Sequence, residues 1–199
     1  MADEGEGLVS SYLQQFGGER MREKVTGPSG KEVFSEYGIL DGYTAVVEMA
    51  SCAGLPLMEN HLDPMHATTY GVGELIRKIA DSGIRKILIG IGGSATNDMG
   101  IGMAAALGYR FYDGNWEEVE PMAYNRGKIE HIRRPEKELD ISITVACDVD
   151  NPLCGPNGAT YTFGRQKGVL EDQMEELDRC VEHMASVLEK EFGIDVRQI

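Results

Sequence analysis

The sequence predicts an α/β fold, a mixed sheet with flanking helices. Three observations carry that prediction. Residues 85–91 (RKILIGI) and 141–148 (ISITVACD) are continuous apolar runs of strand length, the pattern of strands covered on both faces as in a parallel sheet. Two other segments repeat apolar residues at helical spacing: Leu75, Ile76 and Ile79 in one, and Met174, Leu177, Val181, Met184, Val187, Leu188 and Phe192 in the other. The 25 glycines among 199 residues exceed the usual ~7% and fall in pairs and triplets between these patterned segments, where a chain turns. Hydrophobic residues at 42% and charged residues at 26% exclude wholesale disorder. No internal repeat or long Ser/Pro linker interrupts the chain.

Taken in order, residues 8–16 read as a short helix broken by Gly17-Gly18. Residues 22–26 read as a strand closed by the turn Gly27-Pro28-Ser29-Gly30, and residues 33–40 and 44–49 as a hairpin around Asp41-Gly42. An irregular stretch over 50–67 leads to Thr68-Thr69, which can cap a helix running to about Ser82 and stopped by Gly83. The 85–91 strand ends in Gly92-Gly93-Ser94, and a second helix is expected directly after it, over 95–107, ended by Gly108. Residues 109–112 form a further short strand, 113–140 are polar and poorly patterned, and 141–148 form the next strand. The Gly/Pro/Asn-rich loop 151–168 contains a brief extended piece at 159–163. The last apolar stripe makes a helix over about 171–191, stopped by Gly193, with its Met-and-Leu face in the core.

Nineteen Lys plus Arg against thirty-three Asp plus Glu leave a net charge of −14. Such a surface repels phosphate backbones and anionic lipid, so nucleic-acid and membrane-surface binding are not expected. An anionic substrate must instead be met locally, by a cation or by backbone N–H groups. The four cysteines, at 52, 147, 154 and 180, form no CxxC pair and read as reduced thiols within the packing. The histidines, at 61, 66, 131 and 183, form no HxxxH or HExxH set, and His61 and His66 around Asp63 read as a solvated loop. The apolar runs are too short to cross a bilayer, and residues 1–7 lack the basic and apolar regions of a secretory leader, so a cytoplasmic protein is expected.

The segment richest in chemistry is Gly90-Ile91-Gly92-Gly93-Ser94-Ala95-Thr96-Asn97-Asp98. A buried strand ends there, and a helix expected to start at once would offer free N–H groups and the positive end of its dipole to an anion. Ser94 and Thr96 add hydroxyls and Asp98 an acceptor or metal ligand; a merely capped turn is the alternative. A rival reading takes Gly90-x-Gly92-x-x-Ala95, with Asp113 about twenty residues on, as a variant dinucleotide fingerprint, which predicts further βαβ units after Asp113. Asp3, Glu4 and Glu6 form a carboxylate cluster able to hold Mg²⁺ or take a proton, or else a frayed acidic terminus. Asp148 and Asp150 end a buried-type strand, and the carboxyl ends of such strands face the ligand crevice; an Asx turn competes. Lys167 sits where a cation could meet phosphate. There is no Walker A loop, since Gly27-Pro28-Ser29-Gly30-Lys31-Glu32 has the wrong spacing, and no GxSxG elbow.

Six blocks then add up across the chain: Met1-Ala2-Asp3-x-Gly5-Glu6-Gly7, Ala67-Thr68-Thr69-Tyr70-Gly71-x-Gly73-Glu74-Leu75, Gly90-x-Gly92-Gly93-Ser94-Ala95-Thr96-Asn97-Asp98, Ala146-Cys147-Asp148-Val149-Asp150-Asn151-Pro152-Leu153, Gly155-Pro156-Asn157-Gly158-Ala159 and Phe163-Gly164-x-Gln166-Lys167-Gly168. In this order they resemble the bacterial glycerate kinases of the class I type, which phosphorylate glycerate with ATP. The sequence departs from that family's pattern at Glu4, usually glycine, and Arg165, usually proline. The resemblance implies a segment of a two-domain kinase: residues 1–199 as a single α/β domain, mostly the second one, with residues 1–7 at the junction with a nucleotide-type domain outside it. It implies ATP and Mg²⁺, small-molecule substrates, and no nucleic acid or membrane partner; a homo-oligomer stays open. Gly93, Ser94, Thr96 and Asn97 would bind the glycerate carboxylate or the transferring phosphoryl group, and Asp98 or Asp148 would position or deprotonate the hydroxyl. Lys167 would offset phosphate charge, and Asp3, Glu6 and Asp150 would organise Mg²⁺. The alternatives are a nicotinamide-dinucleotide-binding domain of an oxidoreductase and a non-catalytic ligand-binding fragment.

Overall fold

Hydrophobic alternation along the strands places one layer of helix on each face of a mixed sheet, as a computed structural model shows for residues 7–58 and 61–198. The elements run α1 (Leu8–Phe16), β1 (Glu19–Thr26), β2 (Glu32–Ile39), β3 (Thr44–Glu48), α2 (Ala50–Ala53), α3 (Tyr70–Asp81), β4 (Lys86–Gly90), α4 (Ile101–Ala106), β5 (Arg110–Tyr112), β6 (His131–Arg133), β7 (Ser142–Ala146), α5 (Ala159–Phe163) and α6 (Met174–Phe192). The main sheet has the order β1-β2-β3-β4-β7. The first three strands pair antiparallel through two tight connections, and β3, β4 and β7 pair parallel.

Period-two alternation decides which residue meets which helix. Ala45, Val47, Ile87 and Ile89 join Leu75, Ile76 and Ile79 of α3 in the main core, while Val46 of β3 turns to Leu8 and Val9 of α1 on the other face. A second core joins Ile101, Phe111, Ile129 and Ile132 to Met184 and Val187 of α6. The small pair β5–β6 is therefore a separate two-stranded sheet over α6, not a continuation of the main one.

Four expectations are corrected. The second helix starts at Ile101, not at residue 95. Ser94 instead forms an antiparallel bridge with Gly54, the Ala95 N–H donates to the Ala53 carbonyl at 2.8 Å, and Met99 (φ 54°) and Gly100 (φ 73°) are left-handed, a conformation no right-handed helix passes through. That also removes the geometry a dinucleotide fingerprint needs, a helix opening inside the glycine turn. Residues 159–163 are helix α5 rather than extended, because contact with α6 overrides the strand propensity of Thr-Tyr-Thr-Phe. Strand β7 has a buried-type sequence, yet Ile143 and Val145 are 39% and 52% exposed, because it forms the sheet's edge and no described element covers it. All four cysteines are free, and Cys52 is packed, but Cys147 is exposed just beyond this edge. Among the described residues no helix is long and apolar enough to cross a membrane.

Helices α3 and α4 cross closely at Gly73, where a Cβ would run into the Met103 carbonyl and lie 2.7 Å from the Ala106 Cβ. Gly→Ala within a helix ordinarily gains up to about 1 kcal/mol. Gly73→Ala should do the reverse and cost about 1–3 kcal/mol through overpacking, read as a lower urea midpoint at unchanged m-value. A raised midpoint would show that α3 and α4 do not meet here.

Candidate active site

The parallel strands β3, β4 and β7 end together, at Glu48, Gly90 and Ala146, and the loops after β4 and β7 form the crevice expected beyond such carboxyl ends. The loop after β4 is organised around Asp98, a residue only 1% exposed. It accepts from the Thr69 N–H at 2.9 Å, the Thr69 hydroxyl at 2.7 Å, and the Gly100 and Gly102 N–H groups at 3.1 and 3.3 Å. The first turn of α4 thus already holds an internal anion. Only glycine fits at position 102, since a Cβ there would lie 2.9 Å from the carboxylate. Thr69, expected as a helix cap, spends its hydroxyl on Asp98 and accepts from the Met103 N–H at 2.9 Å.

Two cations balance this carboxylate from a distance. The Lys167 ammonium donates to Ser94 Oγ and to the Thr96 carbonyl, both at 2.8 Å. Burial pushes its pKa down to about 8, against the opposing pull of Asp98. Arg126 is fully buried and donates from Nη1 to Asn97 Oδ1 at 3.0 Å and from Nε to the Ala123 carbonyl at 3.2 Å. Burial lowers its pKa to about 10, so it stays charged at neutral pH, and its Nη2 has no partner among the described residues.

A cavity of about 380 Å³ opens above these groups, lined by Ser94, Thr96, Asn97, Asp98, Thr160 and Lys167 on a largely apolar wall that includes Ile89, Ile143, Val145 and Phe163. A second recess, of about 370 Å³, shares Ser94 and Lys167 with it and adds Gly92, Gly93, Asp148 and Gln166. The structure therefore brings Gly93, Ser94, Thr96, Asn97, Asp98, Asp148 and Lys167 to one crevice. Asp150 is exposed on the loop beyond β7, outside the linings of both recesses, and Asp3 and Glu6 lie outside the described residues. Sequence reasoning missed Thr69, read as a cap, Arg126, hidden in a stretch without periodicity, and Thr160, read as part of an extended piece. For Arg126 no local signal exists, because its partner Asn97 lies 29 residues away.

Sheet and crevice together define an α/β protein with a small, lysine-bearing cavity at the carboxyl ends of its parallel strands. The chain belongs to the glycerate kinase family, which it matches over residues 1–199. It is 43% identical to a glycerate kinase of Bacillus subtilis (strain 168), over 99% of this chain and 53% of that protein. It is 41% identical to a glycerate 2-kinase of Escherichia coli (strain K12), over 100% of this chain and 54% of that protein. A crystal structure described as glycerate kinase 2 from Salmonella typhimurium LT2 superposes with a TM-score of 0.92 at 38% identity, covering 100% of this chain and 55% of that one. The chain spans about half the length of the relatives it matches.

Two outcomes follow from the charge balance. Asp98→Asn replaces acceptor lone pairs with an N–H₂ group facing N–H donors and should cost at least about 2 kcal/mol of stability, measured by urea denaturation. For Lys167, below pH 8 folded and unfolded chains both hold the proton, and the cost of the half-buried charge is fully present. Between about 8 and the ordinary 10.5 the folded chain has released a proton that the unfolded chain still holds, so stability rises with pH. Melting temperatures from pH 7 to 9.5 should show the wild type gaining on Lys167→Met; a constant difference would place the ammonium in water.

Proposed function

We propose that this chain forms the acid-binding half of an enzyme that transfers a phosphoryl group from ATP to a hydroxyl of glycerate, the 2-hydroxyl, giving phosphoglycerate. One observation carries the reading: in a chain of net charge −14, Lys167 lies between the two recesses held only by neutral oxygens, with no ion-pair partner among the described residues. Its positive charge is thus available to an incoming anion, and the bound anion would in turn hold the ammonium protonated. The membership of the chain in the glycerate kinase family supports the same substrate.

Phosphoryl transfer depends on in-line positioning and on cancelling charge over the transferring oxygens. Lys167 supplies that charge on the line between the recesses. Ser94 holds its ammonium in place, and Gly93 lines the second recess beside it. Asn97, fixed by Arg126, and Thr96 shape the acid side. Asp98, whose carboxylate already accepts four hydrogen bonds, serves to anchor the loop. Asp148, in the second recess, is the carboxylate left to orient the acceptor hydroxyl. A nucleotide-bound Mg²⁺ keeps most of its waters and needs one or two protein carboxylates. Asp150, exposed on the loop beyond β7, is the described carboxylate that would serve that need, although no three metal-ligating side chains gather among the described residues. When bound, Mg²⁺ neutralises phosphate charge. With ATP as co-substrate the reaction belongs to the cytoplasm.

A coupled ADP-release assay on the full-length protein, with D-glycerate, L-glycerate and glycerol compared side by side, tests the reading. Glycerate-dependent release is expected, glycerol should be inert for want of a carboxylate, and Lys167→Met should lower kcat/KM at least ~100-fold, about 2.7 kcal/mol of transition-state stabilisation. Residues 1–199 alone should bind glycerate without turning over, since they span only 53% of a B. subtilis relative. An inert full-length protein, or full activity in Lys167→Met, would overturn the proposal.

A further inference from the structure

We infer that Thr160 is a substrate-binding residue that reads the glycerate hydroxyl not being phosphorylated; the inference rests on the glycerate reading above and goes beyond it in naming what selects a hydroxylated acid. Thr160 lies in the first turn of α5, is fully buried, and lines the same cavity as Ser94, Asp98 and Lys167. Its hydroxyl has no hydrogen-bond partner among the described residues. Four other polar side chains around the cavity have commitments that this hydroxyl lacks. Ser94 accepts from Lys167, the Asp98 carboxylate accepts four bonds, Asn97 accepts from Arg126, and Thr69 both donates to Asp98 and accepts from Met103.

A buried hydroxyl without a partner is costly, and such groups in folded proteins call for a specific explanation. A threonine hydroxyl can donate one bond and accept others, so the partner it suits best is another hydroxyl. The surroundings strengthen this. Ile143, Val145, Leu153, Phe163 and Val181 also line the cavity and offer no polar side-chain atom to a ligand hydroxyl. An acid whose carboxylate or phosphoryl end is drawn to Lys167 therefore places its remaining hydroxyl on a mostly apolar wall, where Thr160 supplies the match. A site that pairs a substrate hydroxyl discriminates strongly against the analogue lacking it, because its own polar group is then left unpaired.

The test pairs a protein hydroxyl with a substrate hydroxyl in a double-mutant cycle on the full-length protein. Wild type, Thr160→Val and Thr160→Ser are compared with glycerate, lactate and 3-hydroxypropionate, each measured as substrate or as competitive inhibitor, and melting temperatures are recorded in parallel. Thr160→Val should lower kcat/KM for glycerate at least ~10-fold, about 1.4 kcal/mol. It should change by no more than about twofold the constant for whichever deoxy acid lacks the hydroxyl that Thr160 reads, collapsing the discrimination between them. Thr160→Ser should retain the discrimination. The Val variant should melt no lower than wild type, since it removes an unpaired buried hydroxyl. Equal losses on glycerate and both deoxy acids, or a Val variant with wild-type kinetics, would overturn the inference and assign the hydroxyl to packing or to a bridging water. A wild type that neither binds nor phosphorylates glycerate would overturn the kinase reading and this inference with it, a result distinguishable from the first two because it precedes any mutation.

Discussion

Burying a carboxylate costs several kcal/mol unless hydrogen bonds and opposite charge compensate, and most of what is particular to this molecule follows from how Asp98 is compensated. Its two oxygens collect N–H and O–H donors from the start of α3 and the start of α4. Those bonds draw the two helices together over Gly102 and hold residues 95–100 in an irregular path with two left-handed residues. The same carboxylate supports the nearby charges of Lys167 and Arg126. A helix beginning at residue 95 would have left a free N-terminus for an external anion; the loop that forms instead satisfies that terminus internally and moves the attraction for an external anion onto Lys167.

The sheet supplies the rigid frame for this arrangement. Because β3, β4 and β7 run parallel and in register, their carboxyl ends bring residues from distant parts of the sequence to one rim: Asp148 beyond β7, Ser94 beyond β4, and across them Lys167 from the turn after α5. The antiparallel strands β1 and β2 take no part in that rim, and the contact of Ser35 in β2 with Cys52 in α2 lies within the core, where burial pushes the Cys52 thiol up to about 11 and keeps it inert. The edge strand β7 is the exception to the enclosed frame, apolar in sequence and open to solvent along Ile143 and Val145.

Helices α1, α3 and α6 and all the strands of the main sheet were legible in the sequence because their signals are local and periodic: Leu75, Ile76 and Ile79 on one stripe, RKILIGI as a buried run, Gly193 as a stop. The crevice was legible in part. Ser94, Thr96, Asn97 and Asp98 stand together in the chain after a strand, and Asp148 ends another, so topology alone gathers them. Helix α5 was misread because its β-branched and aromatic residues favour a strand locally, and only packing against α6 makes a helix the cheaper state.

The sequence by itself determined the fold class, the parallel-type strands β4 and β7, and the loops that carry polar side chains, since hydrophobic periodicity and glycine placement act over a few residues at a time. Tertiary structure alone decided the partners. That Thr69 serves Asp98 instead of capping α3, that Arg126 reaches Asn97, that Lys167 arrives between two recesses and that the Thr160 hydroxyl is left unpaired all depend on residues 29 or more positions apart in these contacts, or on the shape of a cavity. The physical reason is that burial sets the strength of a charge or a hydrogen bond. A stretch of sequence shows which groups it contains, and only the packed fold determines which of them lose water and must find one another.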